Sequence, residues 1–113
     1  MPRNDLTLIR LLAFMMLRCG AHDRAQTLYA SLRALDADDH EASKGLAWAQ
    51  IEAGQSEAAL NVLDEIVGPG EPGPVVQLLR ARAFARLGRN EDAAAAMQAF
   101  IAQRSGNHGA LRP

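Results

Sequence analysis

The chain is short of almost everything that disulfide, metal or nucleic-acid chemistry requires. Its 113 residues include one cysteine, Cys19, which excludes an internal disulfide and a cysteine-rich metal cage and suits a reducing cytosol. Lys44 is the only lysine, and 12 cationic residues stand against 13 acidic ones. The formal net charge of −1 sets up no field that would draw the chain to nucleic acid or anionic lipid. Aromatics make up 4%, so alanine and leucine must carry the core that 49% apolar residues imply. The apolar run from Leu6 to Leu17 falls well short of the ~20 residues of a membrane helix. Asp5 in place of a basic n-region, and Arg18 just before Cys19, also spoil it as a secretory signal. The expectation is a cytoplasmic protein with no membrane insertion.

What the chain does have is a period. Gly20, Gly54 and Gly88 lie 34 residues apart. Five residues after each stands an alanine (Ala25, Ala59, Ala93), and seven before each stands another (Ala13, Ala47, Ala81). The frame implies three helix pairs, A then B. Each glycine ends helix A at positive φ, and the alanines mark the closest helix–helix approach. The spacing resembles that of tetratricopeptide repeats. With repeats at about 6–39, 40–73 and 74–104, helix A covers 6–18, 41–53 and 75–87 and helix B covers 22–35, 56–67 and 90–103. The fold class expected is all-α, a short right-handed solenoid in one domain. Tyr29, Leu63 and Met97 align across repeats, as do Leu32, Ile66 and Phe100. Ile9, Ser43 and Gln77 replace the usual aromatic near the start of helix A.

Helix starts carry polar punctuation. Asn4 and Asp5 precede the first helix, Asp38 with Glu41 resembles a capping box, and Ser56 and Asn90 stand before acidic residues. The cluster Gly68–Pro74 keeps the 34-residue phase and reads as a stiff inter-repeat turn, while 105–113 reads as a flexible tail.

Candidate chemistry is thin. His22, His40 and His108 have no ligand partner at metal-binding spacing, and Cys19 beside Gly20 reads as a small packing residue. The acids Asp36, Asp38, Asp39 and Glu41 read as caps and solvated charge. No enzyme, cofactor or metal is expected. Repeat stacking instead leaves a concave face for another chain. In tetratricopeptide repeats positions 2, 5, 9, 12 and 13 face that groove, so the resemblance implies an apolar floor of Phe14, Leu17, Trp48, Ile51 and Leu78. Arg10, Arg18, Lys44, Arg82 and Arg86 lie beside it, with Thr7, Glu41, Glu52, Val75 and Ala85 completing the set. The first helix is apolar nearly all round, and Ala93, Met97, Phe100 and Ile101 form a stripe on the last, so the protein alone is expected to self-associate or to meet a partner.

The stretch Leu17–Ala25, with the length and the repeat phase, resembles the YscY family of small type III secretion chaperones. That resemblance implies a cytosolic bacterial chaperone that holds a small secreted partner of the YscX type and delivers it to the inner-membrane export apparatus. Needle-subunit and translocator chaperones of the same system, and a general repeat scaffold or adaptor, remain the alternatives.

Overall fold

The computed structural model describes residues 2–66 and 72–110, with side chains over 6–66 and 72–105. Six helices follow one another: α1 (Pro2–Arg18), α2 (His22–Leu35), α3 (His40–Glu52), α4 (Ser56–Ile66), α5 (Pro74–Arg86) and α6 (Asn90–Ala110). Among the described residues there is no strand. The all-α repeat architecture expected from the period is observed, with α1, α3 and α5 as A helices and α2, α4 and α6 as B helices.

The glycine period has its cause in three turns of one geometry. Gly20, Gly54 and Gly88 adopt φ of +86°, +83° and +77°, and no other described residue has positive φ. Each glycine N–H donates to the carbonyl three residues back, and the next residue's N–H reaches five back: Ala21 to Met16, Gln55 to Gln50 and Arg89 to Phe84. These bonds satisfy the last carbonyls of each A helix while the left-handed residue reverses the chain. The alanines then let the two helices close. Ala13, Ala47, Ala81, Ala25 and Ala59 are buried, and Ala93 is half-buried against the core.

Hairpins α1–α2, α3–α4 and α5–α6 stack by laying α2 on α3 and α4 on α5. Successive A helices also touch, α1 with α3 and α3 with α5, whereas the B helices keep further apart. The long side chains of Arg33 and Glu65 bridge α2 to α4 through an ion pair of 2.6 Å. The A helices therefore line the inner face of the curve. A continuous core runs between, built on Leu32, Ile51, Leu63, Leu79 and Phe84. The radius of gyration, 15.0 Å, exceeds the ~13 Å of a compact domain of this length.

Several sequence expectations need correction. Asn4 and Asp5 do not precede α1 but lie within it. The cap of α3 is Asp39, not Asp38: the Asp39 carboxylate accepts from the Ala42 N–H at 3.1 Å, and the Asp38 N–H instead donates to Asp36 Oδ1. The pairing is decided by the turn, because Asp36 closes a local Asx-type bond that leaves Asp39 at the helix entry. Helix α6 continues through Ser105 to Ala110, into the segment read as a tail, since no proline interrupts it there. Cys19 is exposed rather than packed. The turn expected at Gly68–Pro74 lies largely outside the described residues. Its end shows Gly73 extended at the N-cap and Pro74 in the first turn of α5, where a missing N–H costs nothing.

Candidate functional site

Two hollows occupy the inner face, and Trp48 lines both. The larger, about 340 Å³, is bounded by Phe14 of α1, Lys44, Gly45 and Trp48 of α3, and Val75, Leu78 and Arg82 of α5, with Tyr29 of α2 among its walls. The smaller, about 270 Å³, lies toward the first turn among Leu17, Arg18, Gly20, His22, Trp48 and Glu52. Trp48 meets Phe14 edge to face, with ring centroids 6.4 Å apart at 65°. The Arg18 guanidinium sits 5.8 Å from the Phe14 ring centre, a cation–π distance.

Tyr29 reaches this face because of a missing side chain. A Cβ built on Gly45 would fall 2.3 Å from Tyr29 Cε1, so the ring fills the space that a larger residue would take. Burial raises the Tyr29 phenol above its ordinary pKa, since the phenolate would lose its hydration. Neither residue stands among the site positions read from the repeat pattern. The signal that would have found them is a glycine inside helix α3 where the other A helices carry Leu11 and Leu79.

Four of the five cations along this face are ion-paired, and the fifth, Arg18, lies over the Phe14 ring. Arg82 and Arg86 both hold Glu52, at 2.8 and 3.3 Å, and Lys44 holds Glu41 at 3.2 Å. Arg10 grips Asp39 with two nitrogens, at 2.9 and 2.5 Å. The Arg10 hydrogen bond holds the Asp39 carboxyl below its usual range, with the Ala42 N–H adding to it against the cost of burial. Arg10 is raised in return by the same bond. Five cations thus face three carboxylates (Asp39, Glu41, Glu52), and the face is a mixed-charge rim rather than a basic strip.

A sequence profile of the tetratricopeptide repeat matches residues 16–83, more than half of the chain. The chain belongs to the tetratricopeptide repeat family. The match runs from the end of α1 to most of α5 and so covers the whole second repeat, which supplies Trp48, Gly45 and Lys44. No curated protein matches the chain. Such repeats build concave surfaces for protein–protein interaction. Among the described residues no helix is long and apolar enough to cross a membrane.

Within this tetratricopeptide frame the expected binding residues divide. Phe14, Arg18, Arg82 and Arg86 are exposed, and Arg10, Lys44, Trp48 and Leu78 are half-buried. Leu17 and Ile51 are core residues, and of the two only Leu17 shows an edge, in the wall of the smaller hollow. Both occupy position 12, which is exposed only in the last repeat, as Ala85, where no further repeat follows in the fold. Thr7, Glu41, Val75 and Ala85 are exposed, and Glu52 is half-buried between its two arginines.

Proposed function

We propose that this tetratricopeptide chain is a non-enzymatic binding module that holds a segment of one protein partner along its A-helix face. The Phe14–Trp48 pair carries the reading. The chain's only tryptophan stands half-buried between two hollows, with an exposed phenylalanine against its edge. Anchors of this kind supply most of the affinity at protein interfaces, by burying the remainder of a rigid ring. The paired rim charges favour a segment with polar or mixed-charge flanks around an apolar side chain, because Glu41 and Glu52 can exchange their partners for a ligand's charges without leaving an ion unpaired.

The specific role we propose is a chaperone of a bacterial type III secretion system that holds a small secreted protein in the cytoplasm and delivers it to the export apparatus. Support comes from the resemblance over Leu17–Ala25. Gly20 and Ala25 in that stretch belong to the repeat frame, shared with Gly54 and Ala59 and with Gly88 and Ala93, so its specific part is Leu17–Cys19 with Ala21–Arg24. That overlap is also what favours the second reading, a general repeat scaffold.

Capture from the native host with the wild type and with Trp48→Ala tests both levels. A groove partner should be retained by the wild type and weakened by about 2 kcal/mol or more in the variant, whose circular dichroism stays helical. Equal retention by both proteins would remove the groove from the reading. A partner that is not exported would leave the scaffold and remove the secretion role.

A further inference from the structure

The repeat frame makes it possible to ask which face of α1 a preceding helix would cover. In the second and third repeats, positions 3, 6 and 10 of helix A are sealed by the B helix before them. Ala42, Gly45 and Ala49 are buried in α3, as are Val76, Leu79 and Ala83 in α5. The same positions of α1 hold Leu8, Leu11 and Met15, which are 65%, 56% and 51% exposed, and Leu12 beside them is also open. The opposite half of such a junction stands open on α6. Position 24 is buried as Tyr29 and Leu63 in α2 and α4 but is Met97, 36% exposed, in α6. Ala94, Gln98 and Ile101 around it are exposed too.

We infer that these two open faces are the halves of one junction, and that the chain stacks head to tail, with α6 of one copy seated on α1 of the next. Three features favour a second copy as occupant. First, size: Leu11 stands where Gly45 admits Tyr29, so α1 rejects a ring at position 24 and takes an aliphatic knob. The pairing of Met97 with Leu11 reproduces the Leu63 and Leu79 found at the same two positions in α4 and α5. Second, charge: Asp64 and Arg80 form an ion pair of 2.7 Å across that inner junction, and the equivalent residues at the open ends are Gln98 and Leu12. Neither of these two positions carries a charge, so closing them on each other strands no ion there. Third, reach: the backbones of the two end helices, at 17 and 21 residues, run longer than those of the four inner ones. The contact joins unlike faces, so it propagates as an open chain rather than closing as a two-fold dimer.

The experiment is a mixing test read by sedimentation and light scattering. The wild type should grow beyond a dimer as concentration rises. Leu11→Glu with Met15→Glu should be monomeric, and so should Met97→Glu with Ile101→Glu, both keeping helical circular dichroism because all four positions are exposed on their helices. Mixed together, the two variants should form a one-to-one pair and nothing larger, since each retains one sound face. In a Cys19→Ser background, Leu11→Cys on one chain and Met97→Cys on another should cross-link when mixed, while Leu11→Cys alone should not. A wild type that stays monomeric, a Met97/Ile101 variant that still dimerises by itself, or a mixture that stays monomeric would each overturn the head-to-tail junction.

Discussion

The two inner junctions of the solenoid occupy the same repeat positions and are built in opposite ways. Between α2 and α3, a large ring fills the place of an absent side chain, Tyr29 against Gly45, and the helices lie close over much of their length. Between α4 and α5, aliphatic Leu63 and Leu79 take those positions, the helices meet over a shorter span, and Asp64–Arg80 closes the edge. The connections differ as well. The first is a short turn tied by Asp39, which caps α3 and receives Arg10, whereas the second is a Gly/Pro-rich run whose end is held by Gln103 Nε2 donating to the Pro72 carbonyl at 2.6 Å. The seam thus trades side-chain volume against helix approach: the smaller Tyr29–Gly45 pair lets α2 and α3 lie close, and the bulkier Leu63–Leu79 pair goes with a shorter contact.

The largest expected effect comes from copying one junction's residue into the other. Gly45→Leu, which places the residue of position 79 opposite an unchanged Tyr29, should cost about 3 kcal/mol in urea unfolding, at the upper end for overpacking a core. Adding Tyr29→Leu should recover much of that loss, and a strictly additive double variant would show that the two residues do not share one space.

Next in size is the tie at the first junction. Asp39→Ala should lose about 1–2 kcal/mol, the value of an N-cap, with the exposed half of the Arg10 pair adding little. The pH dependence follows from the sign of the shift. The folded Asp39 carboxyl lies below its unfolded value of about 3.9, so its stabilisation is complete above that pH and is lost as pH falls through the folded value. The stability of wild type and variant should converge in acid. A constant gap down to low pH would assign the loss to something other than the ionised carboxylate.

A smaller change goes the other way. Ser43 is fully buried in α3 with no hydrogen-bond partner for its hydroxyl, so Ser43→Ala should stabilise by about 1 kcal/mol, read as a higher melting temperature. The smallest effect belongs to the second junction. Asp64→Ala, at an exposed pair, should cost about 0.2–1 kcal/mol and less still in high salt. A loss as large as that of Asp39→Ala would mean that the two seams are held alike after all.

Much of the fold was legible because its signals are local. A glycine at positive φ and an alanine at a helix crossing are each dictated by a few neighbouring atoms, so a 34-residue spacing was enough to locate the hairpins. Helix ends were less legible. Asp38 and Asp39 are chemically alike, and only the Asx bond from the Asp38 N–H to Asp36 decides which one caps α3. The repeat phase put Trp48 on the A-helix face, and the structure has two hollows beside it. Leu17 and Ile51 proved to be core residues, because the repeat pattern states where a position points but not what packs over it.

The sequence by itself determined the repeat, its phase, the left-handed turns and the face on which the A helices gather, all through steric demands within one hairpin. Only the tertiary structure decided that Tyr29 enters beneath the groove through the gap at Gly45, and that Arg10, Lys44, Arg82 and Arg86 along the rim are already spent on Asp39, Glu41 and Glu52. It also decided that Leu8, Leu11 and Met15 of α1 and Met97 and Ile101 of α6 stay exposed. Those outcomes join residues up to about 34 positions apart, and the distance between their side chains is set by how hairpins stack, which no local spacing contains.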